Sequence, residues 1–144
     1  MVYMNESPMQ VVLLRGGITP ERKTEGSAAY DLSTPVPLAL DVGLHKIPLA
    51  IRIKLPKNTF GNMRCRSSLS KRGVSVEAGV IDEDYRGEVC VMLRVREALT
   101  LPKGHAIAQL IVQPCVYPPV ILVSFMDETD RGMGGFGSTD LNYH

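Results

Sequence analysis

The sequence predicts an all-β domain, a barrel or sandwich of short strands, on three observations. Glycine and proline punctuate the chain, from Gly16, Gly17 and Pro20 through to Pro102, Gly104 and Pro114, and leave no uninterrupted helical period. Apolar and charged residues alternate where Ile51, Ile53 and Leu55 flank Arg52 and Lys54, and Val89, Val91, Leu93 and Val95 share one side of a second run. The length, 144 residues, suits one domain, which buries roughly 68–70% of its unfolded surface.

Taken in order, the first strand is expected at Gln10 to Leu14, where branched aliphatics follow one another, and a short one at Leu38 to Leu40 between the prolines and Gly43. The alternating run Ile51 to Leu55 gives a third, Gly61 to Arg66 a fourth, and Ser67 to Lys71 one helical turn. Val89 to Val95, Ala106 to Val112 and Val120 to Ser124 complete the set. Beyond these the character changes: Asp127 to Thr139 reads DETDRGMGGFGST, charged and glycine-rich with no strand period. The chain therefore divides into a β-domain, residues 1–126, and a C-terminal tail or lid, residues 127–144.

Lys and Arg number 16 against 15 for Asp and Glu, a balance that offers no global field for a polyanion, so direct nucleic acid binding is not expected. A small anion can still be held locally. Cys65, Cys90 and Cys115 lack metal-ligand spacing and sit in apolar runs, which reads as reduced core thiols of a cytoplasmic or nuclear protein. The apolar stretch Ala106 to Val112 is too short to span a bilayer, and the N-terminus has no signal-peptide pattern, so a soluble protein without membrane contact is expected.

Two segments carry chemistry. Between Arg131 and Thr139, glycines would let backbone N–H groups approach a polyphosphate, Arg131 would pair with it, Ser138 and Thr139 would add donors, and Phe136 would stack on a base. Composition alone equally describes a flexible linker; arginine, aromatic and hydroxyls so close together favour a lid. In GVIDEDYRG, Gly79 to Gly87, three acids precede Tyr85. Singly they read as a solvated turn; a carboxylate beside an aromatic platform is also what a general base at a sugar pocket requires.

These residues belong to a longer pattern. From AAYDL to RGMGGFGST, over Val11 to Thr139, the chain resembles the homotrimeric dUTPases, whose five motifs occur here in order. The resemblance implies a distorted, jelly-roll-like β-barrel subunit in a homotrimer with sites between subunits. The implied activity is hydrolysis of dUTP to dUMP and pyrophosphate by attack of water on the α-phosphorus, with Mg²⁺ on the phosphates, limiting uracil in DNA and supplying dUMP. In the first motif Asp31 would support the metal through water. In the second, Arg66-Ser67-Ser68-Leu69, Arg66, Ser67 and Ser68 would bind phosphates at a short helical start, Ser67 also serving as a helix cap. In the third, Asp82 would activate the water and Tyr85 would pack on deoxyribose, with uracil read by backbone of a hairpin from Val74 to Gly79. Gln109 of the fourth, Gly104 to Leu110, would lie near the α-phosphate, although a glutamine among apolar neighbours also suits a structural bond. In the fifth, Arg131 would meet the γ-phosphate, Phe136 cover uracil, and Gly137, Ser138 and Thr139 surround the phosphates.

Four positions depart from the pattern: Ala29, Ser68 and Ala106 stand where glycine, glycine and arginine are usual, and Asp140 follows Thr139 in place of glycine. These departures favour a viral over a cellular source, and the lost arginine favours weaker activity, or a binding role instead of or beside catalysis. A related deamination of dCTP shares the RSSL spelling, but needs a glutamate about where Met92 stands, and so is disfavoured.

Overall fold

The computed structural model describes residues 7–137. Two four-stranded antiparallel sheets enclose one core, forming the jelly-roll-like barrel expected. In the first sheet β1 (Gln10–Leu13) pairs with β4 (Gly43–Lys54), β4 with β8 (Glu88–Val95) and β8 with β6 (Val74–Ala78). In the second, β2 (Tyr30–Ser33) pairs with β10 (Ala106–Pro114), β10 with β5 (Thr59–Arg64) and β5 with β7 (Val80–Ile81). A ribbon of β3 (Leu38–Leu40) and β9 (Leu99–Leu101) closes one end.

The alternation read from the sequence is the inward face of this barrel. Ile47, Leu49, Ile51 and Ile53 of β4 and Val89, Val91, Leu93 and Val95 of β8 are buried against Leu32, Met63, Ile107 and Leu110 from the opposite sheet. Buried Thr34 and Thr59 satisfy their hydroxyls on the carbonyls of Val36 and Pro56, at 2.7 and 2.6 Å. Among the described residues no buried side-chain nitrogen or oxygen lacks a partner.

β4 is much longer than the alternating run that revealed it, because a bulge hides its first half. Its pairing with β8 shifts between Pro48 and Arg52, where Ala50 takes φ 55°. The N–H of Ala50 donates to Glu88 Oε2 at 2.9 Å, and its carbonyl accepts the N–H of Leu14 at 2.8 Å.

Three expectations are corrected. Val120 to Ser124 forms no strand: Val120, Ile121 and Leu122 are exposed, and among the described residues no strand pairs with this segment. Val74 to Gly79 is not a hairpin, since β6 and β7 belong to different sheets and the chain crosses between them at Gly79. The three cysteines are free thiols but half-buried at the margins of the core: Cys90 falls between inward-facing residues of β8, while Cys65 and Cys115 lie just past the ends of β5 and β10. No helix among the described residues is long and apolar enough to cross a membrane.

Candidate active site

The strand register brings the first, second and fourth motifs together. In the β2–β10–β5 ladder, Gln109 stands opposite Asp31 on one side and Arg64 on the other. Two residues beyond Arg64 the chain leaves the sheet into a single helical turn, α1 (Ser67–Ser70), which returns Arg66 toward β2. Arg66 Nε lies 3.5 Å from Asp31 Oδ1, both side chains being largely screened from solvent, and Arg66 Nη1 lies 3.5 Å from the carbonyl of Ala106. Gln109 donates from Nε2 to the carbonyl of Cys65 at 2.9 Å.

These groups line an open cavity of about 780 Å³, with Asp31, Arg66, Ser67 and Gln109 on its wall. Lys23 and Lys71, which the sequence analysis did not single out, line it too and add positive charge. The only sequence cue to them was proximity to the first and second motifs. Ser68 is exposed and does not line this cavity. Nor is Ser67 a helix cap: the capping position is Arg66, which makes no side-chain cap bond, and Ser67 is the first helical residue.

The third motif forms a second, smaller cavity of about 240 Å³, where Gly79, Asp82 and Tyr85 meet Met63, Lys46 and Cys90. The two cavities share no lining residue. Asp82 and Asp84 are exposed in a turn between β7 and β8, closed by the N–H of Tyr85 on the carbonyl of Asp82 at 3.2 Å. The Tyr85 hydroxyl donates to the carbonyl of Glu88 at 2.7 Å, which lays the ring across Gly87. A Cβ at Gly87 would come within 2.5 Å of that hydroxyl, so the glycine is required by the tyrosine's pose.

Gly79 answers a similar demand: its carbonyl accepts the N–H of Met63 at 2.6 Å, and a Cβ there would lie 2.8 Å from the Met63 carbonyl oxygen. Burial pushes the Cys90 thiol above its ordinary range; Lys46 pulls against this and Glu88 adds to it. Met92, where a deaminase would need its glutamate, stands on β8 opposite Lys46 and Ala78.

The described part of the glycine-rich tail, up to Gly137, lines neither cavity. Arg131 Nε donates to the carbonyl of Gly134 at 2.6 Å, Phe136 is fully exposed with φ 53°, and Gly137 has φ 76°. Ser138, Thr139 and Asp140 lie outside the described residues. Among the described residues no three His, Cys, Asp or Glu side chains cluster as a metal site.

Fold and site together define a β-barrel protein with an open cavity walled by arginine, glutamine, lysines and an aspartate, and a separate pocket where a carboxylate stands beside a tyrosine. The chain belongs to the dUTPase family, whose model matches residues 16–140. The deoxyuridine 5'-triphosphate nucleotidohydrolase of Paramecium bursaria Chlorella virus 1 is 40% identical over 133 residues, 90% of this chain and 94% of the viral one. That of Cowpox virus is 40% identical over 126 residues, 85% of this chain and 86% of its own. Among solved structures, a mutant dUTPase of Staphylococcus bacteriophage 80alpha with dUpNHpp superposes at TM-score 0.82 and 24% identity, covering 92% of this chain and 98% of the other. A mutant dUTPase from phage phi11 of S. aureus, described for its coordination of a structural Mg(II) ion, gives 0.77 at 20% identity, over 83% and 98%.

Proposed function

We propose that this chain hydrolyses dUTP to dUMP and pyrophosphate, and that it does so as a homotrimer with three shared sites. The observation that carries the reading is the convergence of Asp31, Arg66 and Gln109 on one cavity while Asp82 and Tyr85 serve another. The first cavity suits a polyphosphate. Arg66 uses Nε on Asp31 and keeps further N–H donors for phosphate oxygens; Gln109 uses one amide hydrogen on Cys65 and keeps the other. Ser67 and the start of α1 add donors at the α- and β-phosphates.

The exposed carboxylate of Asp82 accepts the proton of a water attacking the α-phosphorus, with the charge on the departing pyrophosphate held by the cationic wall. Tyr85, pinned over Gly87, presents a flat face to the sugar and leaves no space for a 2′-hydroxyl, and the backbone about Gly79 reads uracil. Residues 127–144 act as the lid, with Arg131 on the γ-phosphate, Phe136 over the base, and Gly137, Ser138 and Thr139 about the phosphates.

The donor set fits magnesium in one manner only. A single carboxylate, Asp31, already paired with Arg66, suits a hydrated ion that arrives on the phosphates and is touched through water. When bound, the ion neutralises charge on the triphosphate.

The trimer draws support from the segment after β10. Val116, Val120, Ile121, Leu122, Phe125 and Met126 are each at least four-fifths exposed except Ile121, at 77%, an apolar run that a soluble subunit covers with a neighbour.

Pyrophosphate release should be measured from dUTP, dCTP, dTTP and UTP, in magnesium and in EDTA. Magnesium-dependent release from dUTP alone is expected, with Asp82→Asn losing nearly all turnover while still binding dUTP. Full turnover by Asp82→Asn would remove the base assignment; no release by folded wild type would leave a nucleotide-binding role.

A further inference from the structure

The catalytic turn and the root of the C-terminal arm are bolted to the same residue. β7 contributes only Val80 and Ile81 to the second sheet, and its pairing with β5 stops at Ile81 opposite Gly61. No ladder therefore fixes Asp82, the next residue. The side chain immediately beyond it does have an anchor, since the half-buried Glu83 accepts the backbone N–H of Asn58 at its carboxylate. Asn58 in turn offers its carbonyl to the N–H of Cys115 at 2.9 Å, the point where the chain leaves β10 toward the tail.

We propose that Glu83 is a positioning residue for the hydrolysis: through Asn58 it locks the turn carrying Asp82 to the root of the arm carrying Arg131 and Phe136. The inference rests on the role of Asp82 given above.

Three features make this joint stiff. Asn58 holds φ 63°, a left-handed conformation in which few side chains settle and which its two opposed backbone bonds maintain. A carboxylate accepting an N–H forms a stronger bond than a neutral acceptor does, and this one spans from residue 58 to residue 83. Glu83 and Tyr117 also line a common cavity of about 580 Å³ with Asp82 and Cys115. There the Tyr117 phenol is pushed above its ordinary range, by desolvation first and then by the charge of Glu83. At the far end of the turn, Arg52 Nε donates to the carbonyl of Arg86 at 2.6 Å, so that Glu83 is the anchor on the side nearest the base.

The test compares the full chain as wild type, Glu83→Ala and Glu83→Gln, by steady-state dUTP hydrolysis and by amide hydrogen exchange. For Glu83→Ala, exchange should quicken at Asn58 and at residues 115–117 while the β4 and β8 amides keep wild-type rates. Its kcat should fall about tenfold and its KM rise by clearly less than that factor, because the base is displaced and the arm's root loosened while the phosphate cavity is untouched. Glu83→Gln, which keeps an acceptor of the same shape, should recover most of both. Unchanged exchange at 115–117, a KM that rises as much as kcat falls, or a glutamine variant no better than alanine would each overturn the role of Glu83. A wild type inert toward dUTP would instead overturn the proposed function, and this role with it.

Discussion

Replacing Gly79 by alanine should loosen the domain and slow the reaction together. The added Cβ would stand 2.8 Å from the Met63 carbonyl oxygen, whereas a carbon meets a carbonyl oxygen comfortably at about 3.3–3.6 Å. The crossing from β6 to β7 must then retreat by roughly half an ångström or more, for which overpacking costs suggest about 1–3 kcal/mol. The same retreat stretches the 2.6 Å bond between Met63 N–H and the Gly79 carbonyl. Asp82 lies three residues on, past a strand too short to absorb the shift. A misplacement of an ångström can cost about a hundredfold in rate, so a displacement near half that predicts about a tenfold loss in kcat. Urea unfolding should give a lower midpoint at unchanged slope, and dUTP hydrolysis the lower kcat. Gly26→Ala is the matched control, since a Cβ there meets nothing within 4 Å. A Gly79→Ala protein equal to wild type in both assays would refute the argument from close approach.

Other outcomes follow from the same geometry. Ala50→Gly should raise stability by about 0.5 kcal/mol, the relief of a left-handed alanine exceeding the entropy glycine adds to the unfolded chain; a lower urea midpoint would contradict this. Ending the chain before Arg131 should leave the sheets folded by circular dichroism while turnover of dUTP drops, because the described residues of that segment, 131–137, contribute nothing to the buried core; loss of the fold would show that the tail is structural. Cys90 should react more slowly with iodoacetamide at pH 8 in the native protein than in the urea-unfolded chain, since its raised pKa keeps the thiol protonated. Stability from that protonation is present below the unfolded-state pKa and is lost as pH rises toward the folded one.

What was legible in the sequence was whatever a period of two could announce. Ile51, Ile53 and Leu55, or Val89 to Val95, named their sheet faces because each apolar side chain points into the same core. The first half of β4 was hidden by Pro48 and by the bulge at Ala50, where pairing slips and the regular period fails. Val120 to Ser124 misled for a different reason. An apolar run signals that something covers it, but carries no mark of which chain supplies the cover. The site was legible as motifs and not as geometry. Nothing in RSSL and YDLS says that Arg66 folds back on Asp31, because that contact depends on a β2–β10–β5 ladder assembled from distant segments. Lys23 and Lys71 escaped notice because isolated surface lysines have no pattern; only the cavity gathers them.

The separation of the two cavities has a genetic reading. On the proposed roles, one chain lacking Asp82 and another lacking Gln109 would each be defective, yet they would spoil different walls. In a mixed assembly of the proposed kind, an intact wall from each can face the other. Two dead alleles would then complement to give a live enzyme, while a subunit carrying both lesions would poison every site it joins.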